Sequence, residues 1–188
     1  MDIRNAILQR RTIRRFLPKP VKKEELVDLV ALSRLYASGG NLQPIRYVAV
    51  TEQSKLDDVF ETLRWAAYLP DFQIPYDNRP KAYVVLTADA QTKRSCQFDL
   101  GAAATTMMLA AEGRGLGTCC LASFDHTRLT DILTLHNGQE PLLVIALGYP
   151  AQKSRAVDCA GDIKYYEDEN GCLCVPKYTL DELLTVYE

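Results

Sequence analysis

Apolar residues recur along the first third of the chain at the spacing of amphipathic helices. The pattern predicts a short helix over 2–9 and a second from about Lys22 to Tyr36, after which SGGNLQP breaks it. The apolar face of the second helix comprises Leu26, Leu29, Val30 and Ser33. A third helix is predicted after residue 50, with a stripe formed by Leu56, Val59, Phe60, Leu63 and Ala67. The stretch YLPDFQIPYDNRP that follows contains three prolines and is expected to be an irregular loop.

Three compact apolar runs predict β-strands, at 45–50, 82–87 and 142–148. The last run, LLVIALG, has no polar position, as expected of a central strand that is covered on both faces. Residues 98–112 are apolar or small on nearly every side, which indicates a helix that is buried all round or shared with a partner subunit. Because helices and strands mix without strict βαβ alternation, the sequence favours an α+β fold.

The glycine-rich stretch GRGLG follows this long helix and precedes TCCLASF, which resembles a strand. A dinucleotide-binding turn needs a strand before its glycines and a helix after them, so the context excludes that motif. We interpret Gly113, Gly115 and Gly117 as the residues that end the helix and turn the chain.

The chain changes character after Pro150, where it becomes polar and loses helical period. A long excursion of this kind is expected to be functional or to pack on something outside its own core. Thr179 and Glu182 have the spacing of a capping box, which predicts a final helix from about Leu180 to the C-terminus. No repeat or Gly/Ser linker divides the sequence, so we expect a single domain over 1–188.

Composition and charge exclude several classes of protein. The chain has 188 residues, 47% of them hydrophobic and 24% charged, which is enough for a proper core. A net charge of −2 leaves no basic surplus for nucleic acid. The N-terminal residues lack the apolar core of a signal peptide, and no apolar run has the length of a membrane span. We therefore expect a cytoplasmic protein without a membrane or nucleic-acid partner.

Cysteine and histidine provide little catalytic chemistry in this chain. The six cysteines are expected to be reduced thiols that mostly fill the core, and no pair has the C-x-x-C spacing of a metal site. Metal binding is therefore not predicted. The two histidines, His126 and His136, fall in a predicted polar helical segment and are assigned structural or surface roles. Cys119 and Cys120 lie in an apolar stretch in which the sequence indicates no activating base.

The stretch QRRTIRRFLPKP places four arginines within six residues. Its apolar and β-branched positions indicate extended backbone with alternate side chains turned inward. A half-buried cluster of cations needs an anion, since unpaired buried charge is costly, and the net charge of the chain favours a small one. An anion site without a catalytic acid, base or nucleophile suggests that a cofactor carries the chemistry.

Five motifs, in this order, resemble those of the FMN-dependent nitroreductase family, and the likeness covers nearly the whole chain. They are RRTIRRF, SGGNLQPI, GLGTCCLASF, ALGYP and VPKYTLDEL. The resemblance implies a nitroreductase-like fold with a central mixed β-sheet flanked by helices. It also implies an intertwined homodimer with two FMN molecules at the interface, with the helix at 98–112 as its central contact. The C-terminal extension over 151–188 is then an arm exchanged with the partner subunit.

The resemblance also implies three groups of cofactor-binding residues. The FMN phosphate and ribityl chain are assigned to Arg10, Thr12 and Arg14, with Arg11 nearby, and to a further cation that is either Arg155 or Lys177. From the second subunit, the flavin ring and ribityl hydroxyls are assigned to Ser38, Gly39, Asn41 and Gln43. The other flavin face is assigned to the strand residues Cys120, Leu121, Ala122 and Ser123, whose backbone amides are aimed near N5 and O4. Arg15 is expected to point away as ordinary surface.

The activity implied by the family is a ping-pong reduction. NAD(P)H transfers hydride to flavin N5 and leaves, and a nitroaromatic, quinone or similar small aromatic acceptor then takes two electrons there, with protons from solvent. The sequence leaves the choice between NADH and NADPH open. Alternatives are a flavin-binding or storage protein without efficient turnover, a flavin enzyme of different chemistry such as reductive dehalogenation, and a chain that has lost the cofactor, against which Arg10, Arg14 and Asn41 argue.

Two departures from the family pattern bear on the substrate. Ile45 stands where the family has tryptophan, and Gly39 and Gly40 loosen the flavin-facing pocket, which leaves the size of the substrate open. Four aromatic residues in the segment from Trp65 to Pro80 either line a substrate entrance or simply pack in the core; they are Trp65, Tyr68, Phe72 and Tyr76.

Overall fold

The computed structural model describes residues 2–92, 96–136 and 138–188. The helices in these ranges are α1 (Ile3–Gln9), α2 (Lys23–Ser33), α3 (Gln53–Thr62), α4 (Gln97–Gly113), α5 (His126–Leu133) and α6 (Leu180–Leu183). The strands are β1 (Arg46–Val50), β2 (Ala82–Asp89), β3 (Gly117–Leu121), β4 (Gln139–Gly148), β5 (Ser154–Asp158), β6 (Tyr166–Glu167) and β7 (Leu173–Lys177). Short 3₁₀ turns cover Gly39–Asn41 and Tyr76–Asn78. None of these helices is long and apolar enough to cross a bilayer.

The central sheet has the strand order β1-β2-β4-β3, and all three pairings are antiparallel. The arginine-rich stretch adds a parallel bridge between Thr12 and Thr118 at the β3 edge, which makes the sheet mixed. One face carries a core with α2 and α4, including Leu29 and Met107, and the other packs against α3 and α5. Ile145 faces the first core and Val144 the second, so the prediction that this strand is covered on both faces is confirmed.

The chain after Pro150 forms a second sheet that the sequence did not indicate. β5 runs parallel to β7, and β6 pairs with β7 antiparallel. Its strands are short and mostly exposed or half-exposed, so they show neither a continuous apolar run nor regular alternation. The expectation of an α+β fold with mixed sheets is confirmed. The exchange of the C-terminal arm stays a prediction.

Three predicted helix ends are wrong, each for a local reason. α2 ends at Ser33, and the next three residues turn toward the loop at 38–43. α3 ends at Thr62 because Leu63 is extended and bridges Phe124. α6 ends at Leu183, since the exposed residues that follow have no packing to support a helix. His136 likewise lies beyond α5, outside a helix.

α4 is not buried all round within one chain. It buries one face, which includes Leu100, Ala103 and Met107, against the first core. The opposite side is open, and the Phe98 side chain is 91% exposed. Of the two expectations for this helix, only burial by a partner subunit therefore remains, and it stays a prediction.

Candidate functional site

The arginine-rich stretch lies against the central sheet, where it packs closely on two glycines. The Ile13 amide donates to the Thr118 carbonyl at 2.9 Å. A Cβ on Gly117 would lie 2.9 Å from Ile13 Cβ, and one on Gly148 would lie 2.8 Å from Phe16 Cδ1. Gly117 therefore permits a close approach rather than turning the chain, which corrects the prediction for this residue. Gly115, with φ +72°, is at the turn as predicted.

Arg14 is the buried cation of this stretch. The residue is only 8% exposed, and its Nε and Nη1 atoms have no hydrogen-bond partner among the residues that the structure describes. The guanidinium lies over the Tyr165 ring, 4.5 Å from the centroid, and the Arg14 amide donates to Gln152 Oε1 at 3.0 Å. A buried guanidinium with unused donors is costly alone, so the site suits a ligand with anionic or carbonyl oxygens.

Arg10 and Arg11 have different surroundings. The Arg11 guanidinium donates to the carbonyl of Leu8 at 2.8 Å and to that of Arg10, so it caps the end of α1. Burial lowers the Arg11 pKa, and the charge of Arg10 lowers it further. Glu112 on α4 faces both arginines, and burial raises its pKa against their opposing influence. Arg11 is thus occupied within the chain, whereas no described residue hydrogen-bonds to the Arg10 guanidinium.

Arg15 is not ordinary surface, so that expectation is wrong. Its Nη1 atom forms an ion pair with Glu167 Oε1 at 3.0 Å, and its guanidinium lies 4.4 Å from the centroid of the Phe72 ring. Glu167 belongs to β6 and Phe72 to the proline-rich loop. Arg15 therefore joins three segments that are distant in sequence.

The two candidates for the additional phosphate-binding cation also differ. Arg155 donates to Asp168 Oδ2 at 3.1 Å and to Cys174 Sγ at 3.4 Å. Amide donors from Cys172 and Asn170, together with Arg155, lower the Asp168 pKa, although partial desolvation opposes them. Lys177 is exposed at the end of β7 and has no ion pair in the part of the chain that the structure describes.

The segment 120–123 extends from the arginine-rich stretch to a cavity. Burial raises the Cys120 pKa to about 11, although the residue has exposed surface and Arg10 acts in the opposite direction. Leu121 turns its side chain into the second core, so only its backbone is available to a ligand. Ala122 lines a cavity of about 640 Å³ with Leu100, Leu142 and Leu143 among its other walls. Ser123 is exposed, and its carbonyl accepts from the Arg64 amide at 3.0 Å.

The loop over 38–43 has an unusual backbone conformation, and its polar side chains hydrogen-bond to one another and to the backbone. The Gln43 amide donates to Ser38 Oγ at 2.9 Å, and Gln43 Nε2 donates to Asn41 Oδ1 at 3.0 Å. Asn41 and Gln43 have φ values of +54° and +48°, and Gly40 has +55°. Such backbone persists where surrounding structure enforces it, often at ligand sites. Gly39 has open space around it.

Within one chain, this loop and the arginines are far apart. Asp99 interacts with Tyr36, which is next to the loop, whereas Glu112 faces Arg10. Asp99 and Glu112 lie thirteen positions apart on α4, or about 20 Å along the helix axis. Of the three predicted groups of cofactor-binding residues, one chain therefore keeps the loop group and the arginine group well separated.

The aromatic residues in the segment from Trp65 to Pro80 divide between core and site. Trp65 stacks on Phe60 with ring centroids 5.5 Å apart and packs against the second core. Tyr68 packs on Tyr165 at 5.1 Å, which places it near Arg14. Tyr76 is exposed and its hydroxyl donates to Asp57 at 3.0 Å. The core interpretation suits Trp65, and the site interpretation suits Tyr68.

Sequence reasoning missed three residues around the arginines, namely Glu112, Gln152 and Tyr165. The last two come from the chain after Pro150 and reach Arg14 only because that segment folds back. Glu112 sits on the half-exposed side of α4 without a local motif. None of the three carried a signal in spacing or composition.

Taken together, the fold and site define an α+β protein with a buried, partly unsatisfied arginine at the edge of its central sheet. The Nitroreductase family matches residues 7–149, and the chain belongs to this family. The 4-nitrobenzoate reductase of Pseudomonas putida is 24% identical over 196 aligned positions, which cover 79% of this chain and 85% of that protein.

Solved structures show the same fold at low identity. A nitroreductase family protein from Clostridium novyi NT has a TM-score of 0.67 at 17% identity, covering 80% of this chain and 87% of that one. An FMN-dependent nitroreductase from Clostridium difficile has a TM-score of 0.66 at 19% identity, covering 81% and 90%. The resemblance drawn from the five motifs is confirmed for the family and its fold.

Proposed function

We propose that the chain is an FMN-dependent oxidoreductase that takes electrons from NAD(P)H and reduces a nitroaromatic, quinone or similar small acceptor. The observation that carries the proposal is the buried Arg14 guanidinium, whose Nε and Nη1 atoms have no hydrogen-bond partner in the described part of the chain. A phosphate or a flavin carbonyl would supply the missing acceptors. Family membership supports FMN as the molecule that provides them.

The residues present fit FMN in charge and in hydrogen-bonding capacity. Arg10, Thr12 and Arg14 would hold the phosphate and ribityl chain. Lys177 is the better candidate for the additional cation, because Arg155 already pairs with Asp168. When bound, FMN supplies a reversible hydride acceptor, a chemistry that amino-acid side chains do not provide.

The protein's own part in the reaction is to position the cofactor and the substrates and to exclude water. Arg14 balances negative charge on the ligand and is held in place by the Tyr165 ring and by Gln152. Leu100, Leu142 and Leu143 give the cavity beside Ala122 apolar walls, which suit a flat aromatic molecule. The donor and the acceptor would use this space in turn, which is the basis of the ping-pong scheme.

A second copy of the chain is part of the proposal. Asp99 interacts with Tyr36 beside the loop over 38–43, and Glu112, which faces Arg10, lies about 20 Å further along α4. A cofactor touching both groups would therefore need the loop of a partner. Large apolar side chains remain exposed on α1, on α4 and in the C-terminal tail; they include Ile3, Ile7, Phe98, Leu180 and Tyr187. Extensive apolar exposure of this kind favours a protein interface.

The visible spectrum of the purified protein, followed by anaerobic addition of NADH and of NADPH, tests the proposal. Flavin bands that bleach with either nucleotide, and return on addition of a quinone, are the expected result. Bands that persist with both donors would indicate a flavin-storage protein instead. A protein that stays colourless after reconstitution with FMN would refute the cofactor assignment.

A further inference from the structure

We infer that His126 supplies a proton to the electron acceptor, an inference that rests on the proposed function and adds a side chain to it. His126 is the first residue of α5, and its ring packs against Phe124 with centroids 4.3 Å apart. Phe124 is 7% exposed and bridges Leu63, while Asp125 caps the helix through its side chain. The position of the imidazole is therefore set by the buried Phe124 and by the capped start of α5.

His126 borders two cavities. The larger, of about 640 Å³, also contains Ala122 in its lining and lies where the proposed flavin-facing segment ends. The smaller, of about 250 Å³, is an open pocket that includes Thr130 and Asp131. Glu140 on β4 lines both cavities with His126. A group in this position would contact an acceptor on one side and exchange protons with solvent on the other.

Among the described residues, the charged groups that share this lining are Glu140 on β4 and Asp131 on α5 itself. Both are carboxylates, which are hydrogen-bond acceptors for an imidazole ring that carries both protons. Histidine is also the side chain best suited to exchange a proton near neutral pH. The other described residues that line the larger cavity are uncharged, with Gln97 as their polar member.

The net reduction of the acceptor by NAD(P)H consumes one proton. NAD(P)H, a proton and a quinone give NAD(P)⁺ and a hydroquinone; a nitro group consumes the same reactants and gives a nitroso group and water. The electron pair and one hydrogen come from NAD(P)H. The other proton comes from His126, whose N–H bond breaks as an O–H bond forms on the acceptor. Solvent then reprotonates the imidazole through the smaller cavity.

Benzoate is a suitable probe, because it has the planar shape of nitrobenzene, carries a negative charge and is not reduced. Its Kd would be measured by calorimetry at pH 6 and pH 8 on the FMN-loaded protein. We expect binding about tenfold weaker at pH 8 for the wild type, since an imidazolium stabilises the carboxylate and neutral imidazole does not. His126→Gln should remove the difference. His136→Gln is the matched control, because it changes the only other histidine and lies outside both cavities.

A kinetic measurement separates proton donation from a structural role. His126→Gln should lower the rate of quinone reduction at pH 6 by about 100-fold, while the rate at which NAD(P)H bleaches the flavin stays unchanged. Equal losses in both rates, an unchanged pH dependence of benzoate binding in the variant, or no benzoate binding to the wild type would each overturn the inference. If the wild type binds no FMN, the proposed function itself fails, and that result is visible before any histidine is changed.

Discussion

Replacing Gly117 by alanine should weaken both folding and ligand binding, because this glycine lets the arginine-rich stretch reach the sheet. The new Cβ would lie 2.9 Å from Ile13 Cβ and Cγ1 and 3.1 Å from Cγ2. Carbon atoms pack best at about 3.5–4.0 Å, so the deficit is more than half an ångström. Ile13 Cβ is fixed to the backbone and does not rotate away, so the strand itself must move.

Overpacking of this kind costs about 1–3 kcal/mol in the free energy of unfolding. Arg14 follows Ile13 directly, so the displacement should also move its guanidinium and raise the Kd for FMN by about tenfold, equivalent to about 1.4 kcal/mol. Urea unfolding of the apo protein and a fluorescence titration with FMN would measure the two effects.

The matched control is Gly113→Ala at the end of α4, where a Cβ meets nothing within 4 Å. That variant should keep its FMN affinity and gain up to about 1 kcal/mol in stability, because alanine is the better helix former. If Gly117→Ala unfolds within about 0.5 kcal/mol of the wild type and binds FMN equally well, the close approach does not position the site as we describe.

Three further expectations concern single side chains. Arg14→Met removes a buried cation that only the ligand satisfies. The variant should therefore raise the stability of the apo protein by about 1 kcal/mol in urea unfolding and weaken FMN binding by at least about tenfold. A loss of apo stability would contradict this expectation. Lys177→Gln should weaken FMN binding measured by titration, whereas Arg155→Gln should mainly lower the unfolding temperature; the reverse pattern would exchange their roles. Burial raises the Cys119 pKa from an ordinary value of 9 to about 12, so the unfolded chain loses its proton first and stability falls as pH rises through this window. Between pH 8 and pH 10.5, the wild type should therefore lose about 2 kcal/mol more than Cys119→Ala, and equal losses would contradict the shift.

The elements with strong periodicity were predictable from the sequence. Leu26, Leu29 and Ser33 share a buried helix face, and the run at 142–148 lies in the middle of the sheet, because burial imposes these patterns directly. The capping box at Thr179 is also confirmed, with its amide donating to Glu182 Oε2 at 2.7 Å. These signals are local, so a single sequence contains them.

The contacts around the candidate site were not predictable in the same way. Arg15 pairs with Glu167, and Arg14 lies on Tyr165, across separations of about 150 residues. Such pairs depend on how β5, β6 and β7 fold back, and those polar strands lack the alternation that would have indicated them. The arginine cluster itself was visible, but the division of roles among its members was decided by tertiary packing.

The central claim is that each FMN lies between the arginines of one chain and the loop over 38–43 of another. A mixed dimer tests it most directly. One differently tagged chain carries Arg14→Met, and the other carries Asn41→Ala with Gln43→Ala; the co-expressed pair is purified through both tags. If the site is shared between chains, one of the two sites combines the intact arginines of one chain with the intact loop of the other. The mixed dimer should then bind one FMN with wild-type affinity. Each variant alone should bind FMN weakly. A mixed dimer without any site of wild-type affinity would contradict the shared site. It would mean that the arginines and the loop that contact one FMN belong to the same chain.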